Sequence, residues 1–214
     1  MQTTTQKNRF SLLAVGAVLV TALIMQAMNY GAQAAALSNA FVRFDRMKVS
    51  TATTGTVCAR PTTVGSTEVD VQVTFPAGYT TSTTAGNWTV NTTNTGWPTA
   101  VAPITAVAAW PGINTATSAV GATGGTVTFP SSDLTSATTL YCFNWTNSAA
   151  VSIQAGAAAS NTGTITTRAT GPTTIDTTGF ATASITDDQI VVTATVPQTF
   201  SFALSANTDA LGAL

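Results

Sequence analysis

Over residues 68–75, apolar and polar side chains alternate without a break. Val69, Val71, Val73 and Phe75 fall on one side, and Glu68, Asp70, Gln72 and Thr74 on the other. A period of two predicts a half-buried strand with one dry and one wet face. Pro76-Ala77-Gly78-Tyr79 stops it. Shorter versions recur. Residues 56–60 read as a strand that Pro61 ends, and "TTLYCFNWT" around Cys142 reads as a buried strand. Residues 88–92, 100–109, 125–129, 151–154, 163–168 and 184–196 complete the set, with a turn at Asp187-Asp188. Residues 35–50 fit a helix through Leu37, Phe41, Phe44 and Lys48. They also fit a strand through Val42 and Phe44, and the β-like chain that follows favours the strand. About eight to ten strands separated by Gly, Pro and Asn predict an all-β sandwich.

Composition agrees. The chain has 46 threonines among 214 residues. Together with Val, these β-branched residues suit pleated, half-buried strands. Glu occurs once, at Glu68, and Lys once beyond the N-terminus, at Lys48, so the usual surface formers of soluble helices are missing. Charged residues make up 7% of the chain, so Thr, Ser, Asn and Gln must supply the solvent face.

The N-terminus reads as an address. Lys7 and Arg9 precede an apolar stretch at 10–28, and Ala32-Gln33-Ala34 fits a small-residue cleavage site. This is the pattern of a secretory signal. Residues 1–34 are therefore expected to form a hydrophobic signal helix, cut after Ala34 with Ala35 and Ala36 as near alternatives. An uncleaved anchor is the other reading, since 19 residues nearly span a bilayer core. Arg9 before Phe10, and Ala14 where an acid is usual, depart from a type IV prepilin leader. Beyond residue 30 no apolar run approaches 18 residues, so contact with a membrane is expected only through the leader.

At the other end, Pro197 closes a strand, and Phe200, Phe202 and Leu204 alternate again. Residues 35–196 are expected to form the sandwich. Residues 197–214 then begin a second, incomplete β-domain, or supply an edge strand or a strand donated to a neighbour.

Candidate chemistry is sparse. The chain has no His, which excludes His-dependent nucleophilic triads, His metal sites and an imidazole proton shuttle. A net charge of −1 gives no electrostatic reason to bind nucleic acid. Cys58 and Cys142 lie in strand-like segments of an exported chain and are expected to pair. Closing so long a loop is worth ~4 kcal/mol on the chain-entropy model. Glu68 and Asp70, two apart on one strand, read as its wet side and not as carboxylates facing each other across a cleft. Asp187 and Asp188 lack the oxygen-rich loop that Ca²⁺ needs. Neither a cofactor nor a metal site is expected. Trp97-Pro98 and Trp110-Pro111 sit in loop-like contexts where an exposed indole could stack on a sugar, whereas Trp88 and Trp145 suit a core beside the disulfide. Asn87, Asn91 and Asn144 head N-x-T sequons, which so Thr-rich a chain produces by chance.

The opening "SNAFVRFDRMKVS", the Cys58 strand and "EVDVQVTFPAGYT" together resemble the Ig-like β-sandwich repeats of secreted, Thr-rich bacterial cell-surface proteins. In those repeats a strand runs into an FPxGF-type turn, matched here by Phe75-Pro76-Ala77-Gly78-Tyr79. The resemblance covers residues 37–80. It implies a Greek-key fold, a place at the cell surface and a scaffold or adhesive role, with no catalytic residue to carry over. Antibody-type domains fit poorly: Tyr141 stands one residue before Cys142, where a tyrosine corner needs two. The sequence therefore predicts a secreted or cell-surface, non-catalytic structural or adhesive protein. Its expected partners are copies of itself, neighbouring surface proteins or glycans. The alternative is a carbohydrate-binding module that uses Trp97 and Trp110.

Overall fold

The computed structural model describes residues 34–171 and 173–188. The expected leader (apart from Ala34) and the 197–214 segment lie outside these residues, as do positions 189–196 of the expected last strand.

The described chain is all-β. In order, the strands are β1 (Ser38–Phe44), β2 (Ala52–Thr53), β3 (Gly55–Arg60), β4 (Glu68–Thr74), β5 (Thr80–Thr81), β6 (Val90–Asn91), β7 (Ala106–Ala109), β8 (Ser118–Val120), β9 (Thr126–Pro130), β10 (Thr139–Trp145), β11 (Val151–Ser152), β12 (Ala158–Ala169) and β13 (Thr173–Ser184). The first sheet runs β1-β3-β10-β6, with β7 pairing parallel to β10. The second runs β13-β12-β4-β9-β8 and is antiparallel throughout. The short strands β2, β11 and β5 make a third sheet.

Alternation explains why the two large sheets share a core. Val42 and Phe44 of β1, Val57 and Ala59 of β3, and Tyr141, Phe143 and Trp145 of β10 are buried with Val71 and Val73 of β4, Val127 and Phe129 of β9, and Ile165 of β12. Aromatic rings meet across the layer. Phe129 and Phe143 lie 5.0 Å apart between ring centres, and Phe44 and Phe75 lie 6.1 Å apart edge to face. Such contacts add to simple area burial. This layering is consistent with a β-sandwich.

Several strands differ from the sequence reading. The clearest, 68–75, changes phase at its start. Asp70 pairs with Arg168 and Glu68 with Ala169, so Val69 is an extra residue on β4. This bulge turns Val69 outward, at 41% exposure, and folds Glu68 inward, at 4%. The expected dry residue is wet, and the expected wet one is dry. Only 106–109 of the 100–109 segment is strand. The last described strand is Thr173–Ser184, upstream of the 184–196 segment expected. Its Thr run, with Asp176 and Gly179, looks like loop in the sequence. In the structure Asp176 is fully buried, accepting from the Thr62 and Thr63 amides at 2.8 and 2.9 Å and from Thr63 Oγ1 at 2.7 Å. Donors more than 100 residues away in the chain make that carboxylate a core residue.

Candidate functional site

Cys58 and Cys142 face each other in the antiparallel pair β3–β10 and are bonded. The disulfide therefore joins neighbouring strands of one sheet, where the antibody pattern joins two sheets. Both sulfurs point away from the main core. With Leu140 they form a second buried cluster, covered by Phe41, Trp97, Ile104 and Val107. Trp97 and Ile104, from the segment leading into β7, cover the outer face of the first sheet, and Val107 of β7 packs on the cluster from within that sheet.

The four tryptophans are all turned inward or sideways. Trp110 is 1% exposed; its indole N–H donates to Ser131 Oγ at 2.8 Å and its ring packs edge-on to Phe143. The loop context of Trp110 is right, but no free ring face remains for a sugar, so the expected stacking role is corrected there. Trp97 is half-buried against the disulfide cluster and donates to Asn144 Oδ1 at 3.0 Å. It backs a polar site. Trp88 and Trp145 lie in the main core and donate to the Ser82 and Thr53 carbonyls at 3.0 and 3.1 Å. The indole beside the disulfide is thus Trp97, and Trp88 and Trp145 pack elsewhere. Each indole N–H has a partner, as its burial requires.

Beside the disulfide cover, the same sheet face opens into a pocket of about 300 Å³ whose lining residues are mostly polar in type. Strand alternation builds it. Arg43 of β1, Thr56 of β3 and Asn144 of β10 all point outward, one position away from core residues, and the pairing register puts them side by side. Arg43 Nη2 donates to Thr56 Oγ1 at 3.0 Å, and Thr56 Oγ1 donates to Asn144 Oδ1 at 2.7 Å. The Asn144 amide donates to the Thr93 and Thr95 carbonyls at 3.3 and 3.4 Å. Arg43 also reaches the Gly96 carbonyl and pairs with Asp45 at 3.4 Å. Gly96 has φ +70°, and a Cβ there would sit 2.7 Å from Arg43 Nη2, so glycine lets the loop close on the guanidinium. Asp45, Thr54, Asn91 and Thr146 complete the rim. The sequence alone gives Arg43 no role and marks Asn144 only as the head of a sequon. The signal available was a polar residue at an outward position in each of three neighbouring strands.

The remaining charges hold the fold. Asp70 and Arg168 form a two-pronged cross-strand pair at 2.7 and 2.9 Å. Gln72, with its amide oxygen turned toward Arg168, accepts from the guanidinium at 3.2 and 3.3 Å and from Thr128 Oγ1 at 3.0 Å. Burial pushes the Glu68 carboxyl above its ordinary value of 4.5. The hydrogen bond from the Leu134 amide opposes that shift, and the charge of Asp133 adds to it. Arg46 hydrogen-bonds Asp188 and holds its carboxyl below the ordinary 3.8, an effect reinforced by the charges of Arg46 and Lys48. Among the described residues, no group of three His, Cys, Asp or Glu side chains is placed to hold a metal.

No family model and no curated protein matches the chain. Among solved structures it is similar to BslA, a bacterial hydrophobin, at 13% identity and a TM-score of 0.40, covering 72% of this chain and 95% of that one. A likeness this loose fixes neither the strand connections nor the activity.

Proposed function

We propose that this chain is a non-catalytic protein of the cell surface or extracellular space, a structural or adhesive component that works through its sheet faces. The observation that carries this reading is the outer face of the second sheet. Cross-strand pairing places Thr177, Thr166, Gln72, Thr128 and Ser118 in one row across all five strands. The next row holds Thr164, Thr74 and Thr126. Hydroxyls link across the strands, Thr166 with Thr177 and Thr74 with Thr126, each at 2.8 Å. Between the Asp70–Arg168 pair and the far end of the sheet, the face is uncharged, mostly hydroxyl-bearing and in register, with Val120 exposed beside Thr126 at its edge. Such a face suits contact with another ordered polar surface. Of the seven described acids, Glu68, Asp70 and Asp176 are occupied in holding the fold.

The leader pattern and the joined cysteines support export. The finer fold reading is an Ig-like Greek key. It draws on strand order, since β3 lies between β1 and β10, and β4 between β9 and β12. The turn at Phe75-Pro76-Ala77-Gly78-Tyr79, where Tyr79 N–H donates to the Pro76 carbonyl at 3.2 Å, is the part that resembles secreted surface repeats.

The test combines location and assembly. The full chain, expressed in its own cell type, should be shaved from intact cells by added protease. Purified, it should scatter light as an assembly. Thr166→Glu and Thr74→Lys should disperse that assembly without changing the melting temperature. Retention in the cytosol with two free thiols would overturn the reading.

A further inference from the structure

We propose that the pocket on the outer face of the first sheet binds a neutral sugar residue, held by Arg43, Asp45, Asn91 and Thr146 over a fixed floor of Thr56 and Asn144. The floor is pre-organised. Asn144 is held at both ends of its amide, by Thr56 and Trp97 on its oxygen and by the Thr93 and Thr95 carbonyls on its nitrogen. A floor already locked by hydrogen bonds loses little freedom when a ligand arrives.

The rim decides the ligand class. Arg43 and Asp45 side chains are 45% and 49% exposed and stand 3.4 Å apart, so the opening carries one charge of each sign. An anion would meet the Asp45 carboxylate and a cation the Arg43 guanidinium. A neutral ligand meets neither penalty. Around these two groups stand hydroxyls and amides that can both donate and accept. Adjacent ligand hydroxyls, each needing a donor and an acceptor, match that alternation. The volume is at the lower end for ligand pockets and suits one ring with part of a second.

This site differs from one built on exposed tryptophans: here the indoles support the floor from behind. The inference rests on the proposed function only for its extracellular setting, and it names what the adhesive contact would grip. Many weak sites on one surface would bind a glycan coat by avidity.

The test uses the full chain, labelled with ¹⁵N and titrated with methyl glucosides, galactosides and mannosides and with N-acetylglucosamine. Glucuronic acid and glucosamine serve as charged controls. At least one neutral pyranoside should shift the amides of residues 54–56, 91–96 and 144–146 saturably, and the charged sugars should do so at least tenfold more weakly. Arg43→Ala and Asp45→Ala should each weaken binding about tenfold or more. Asn91→Ala, on the rim, also removes the acceptor of the Thr93 amide; it should weaken binding measurably, and an unchanged thermal melt shows that the loss is one of contact and not of folding. Shifts with no neutral sugar, a preference for a charged one, or binding indifferent to all three variants would overturn the proposal. Protease shaving and light scattering read the other proposal separately, so failure of one is distinguishable from failure of the other.

Discussion

At the residue scale, two carboxylates far from the pocket show how position sets behaviour. Glu68 is held in the interior by the Leu134 amide at 3.1 Å and by the Ser66 hydroxyl at 3.4 Å. Burial raises its proton affinity in the fold above that in the unfolded chain. Its contribution to stability is therefore fully present below the ordinary value of 4.5 and is lost as pH rises through the raised value. Near neutral pH the ionised form opposes folding. Glu68→Gln keeps an acceptor for the Leu134 amide, turns its NH2 toward the Ser66 hydroxyl, which can accept in its place, and removes the charge. We expect the variant to be more stable than the parent at pH 7 and the advantage to vanish toward pH 4, read as urea midpoints across that range. Asp188 works in the opposite sense. Its lowered value gives stability above the ordinary 3.8 that fades as acid protonates it. Since the Arg46 contact lies at the surface, salt should weaken it.

At the scale of elements, most strands were readable and their phases less so. Alternation marks β1 and most of β4 because each has one face against the core, whereas β3 and β10, covered on both faces, read as short buried runs. The start of β4 was misread because a bulge belongs to the pairing with β12, and its own residues give no sign of it. The β13 strand was unreadable for a related reason. Its Thr, Asp and Gly residues look exposed until the 62–63 turn and the neighbouring strand supply partners. Gly163 illustrates the same dependence. It opposes Phe180 across β12–β13, and a Cβ there would lie 2.4 Å from Phe180 Cζ and 2.4 Å from the Thr74 carbonyl oxygen. The phenyl ring is seated by the missing side chain. Gly163→Ala should destabilise by about 1–3 kcal/mol through overpacking. A thermal melt checks it, with Gly179→Ala, whose Cβ meets nothing closer than 3.7 Å, as the mild comparison.

At the scale of the whole molecule, the disulfide and the strand order act together. Cys58 and Cys142 are 84 positions apart, and their bond holds β3 against β10 beneath the Trp97 cover. Replacing both with Ala should lower stability by about 4 kcal/mol on the chain-entropy model, seen as a shifted urea midpoint. Loss of the covered cluster should also expose Trp97, shifting tryptophan emission to the red. The pocket was hidden in the sequence for a reason of scale. Arg43, Thr56 and Asn144 each sit at an outward position that alternation predicts, but only the register of three strands shows that they touch. The tryptophans fail differently. Their loop settings were plain, while the direction each ring turns depends on the packing around it.

The opening segment is stitched to the last described strand. Ala35 bridges Asp176 and Lys48 bridges Ile185, with the Thr177 amide donating to the Ala35 carbonyl and the Ile185 amide to that of Met47. Residues near 35 and 48 thus wait for residues near 176 and 185 before they find their place. A molecule wired this way stays slack while it is being made, as its earliest strands lack their closing neighbours. Slackness of that kind would serve the proposed export, since a narrow translocation channel admits only a chain that has not yet closed.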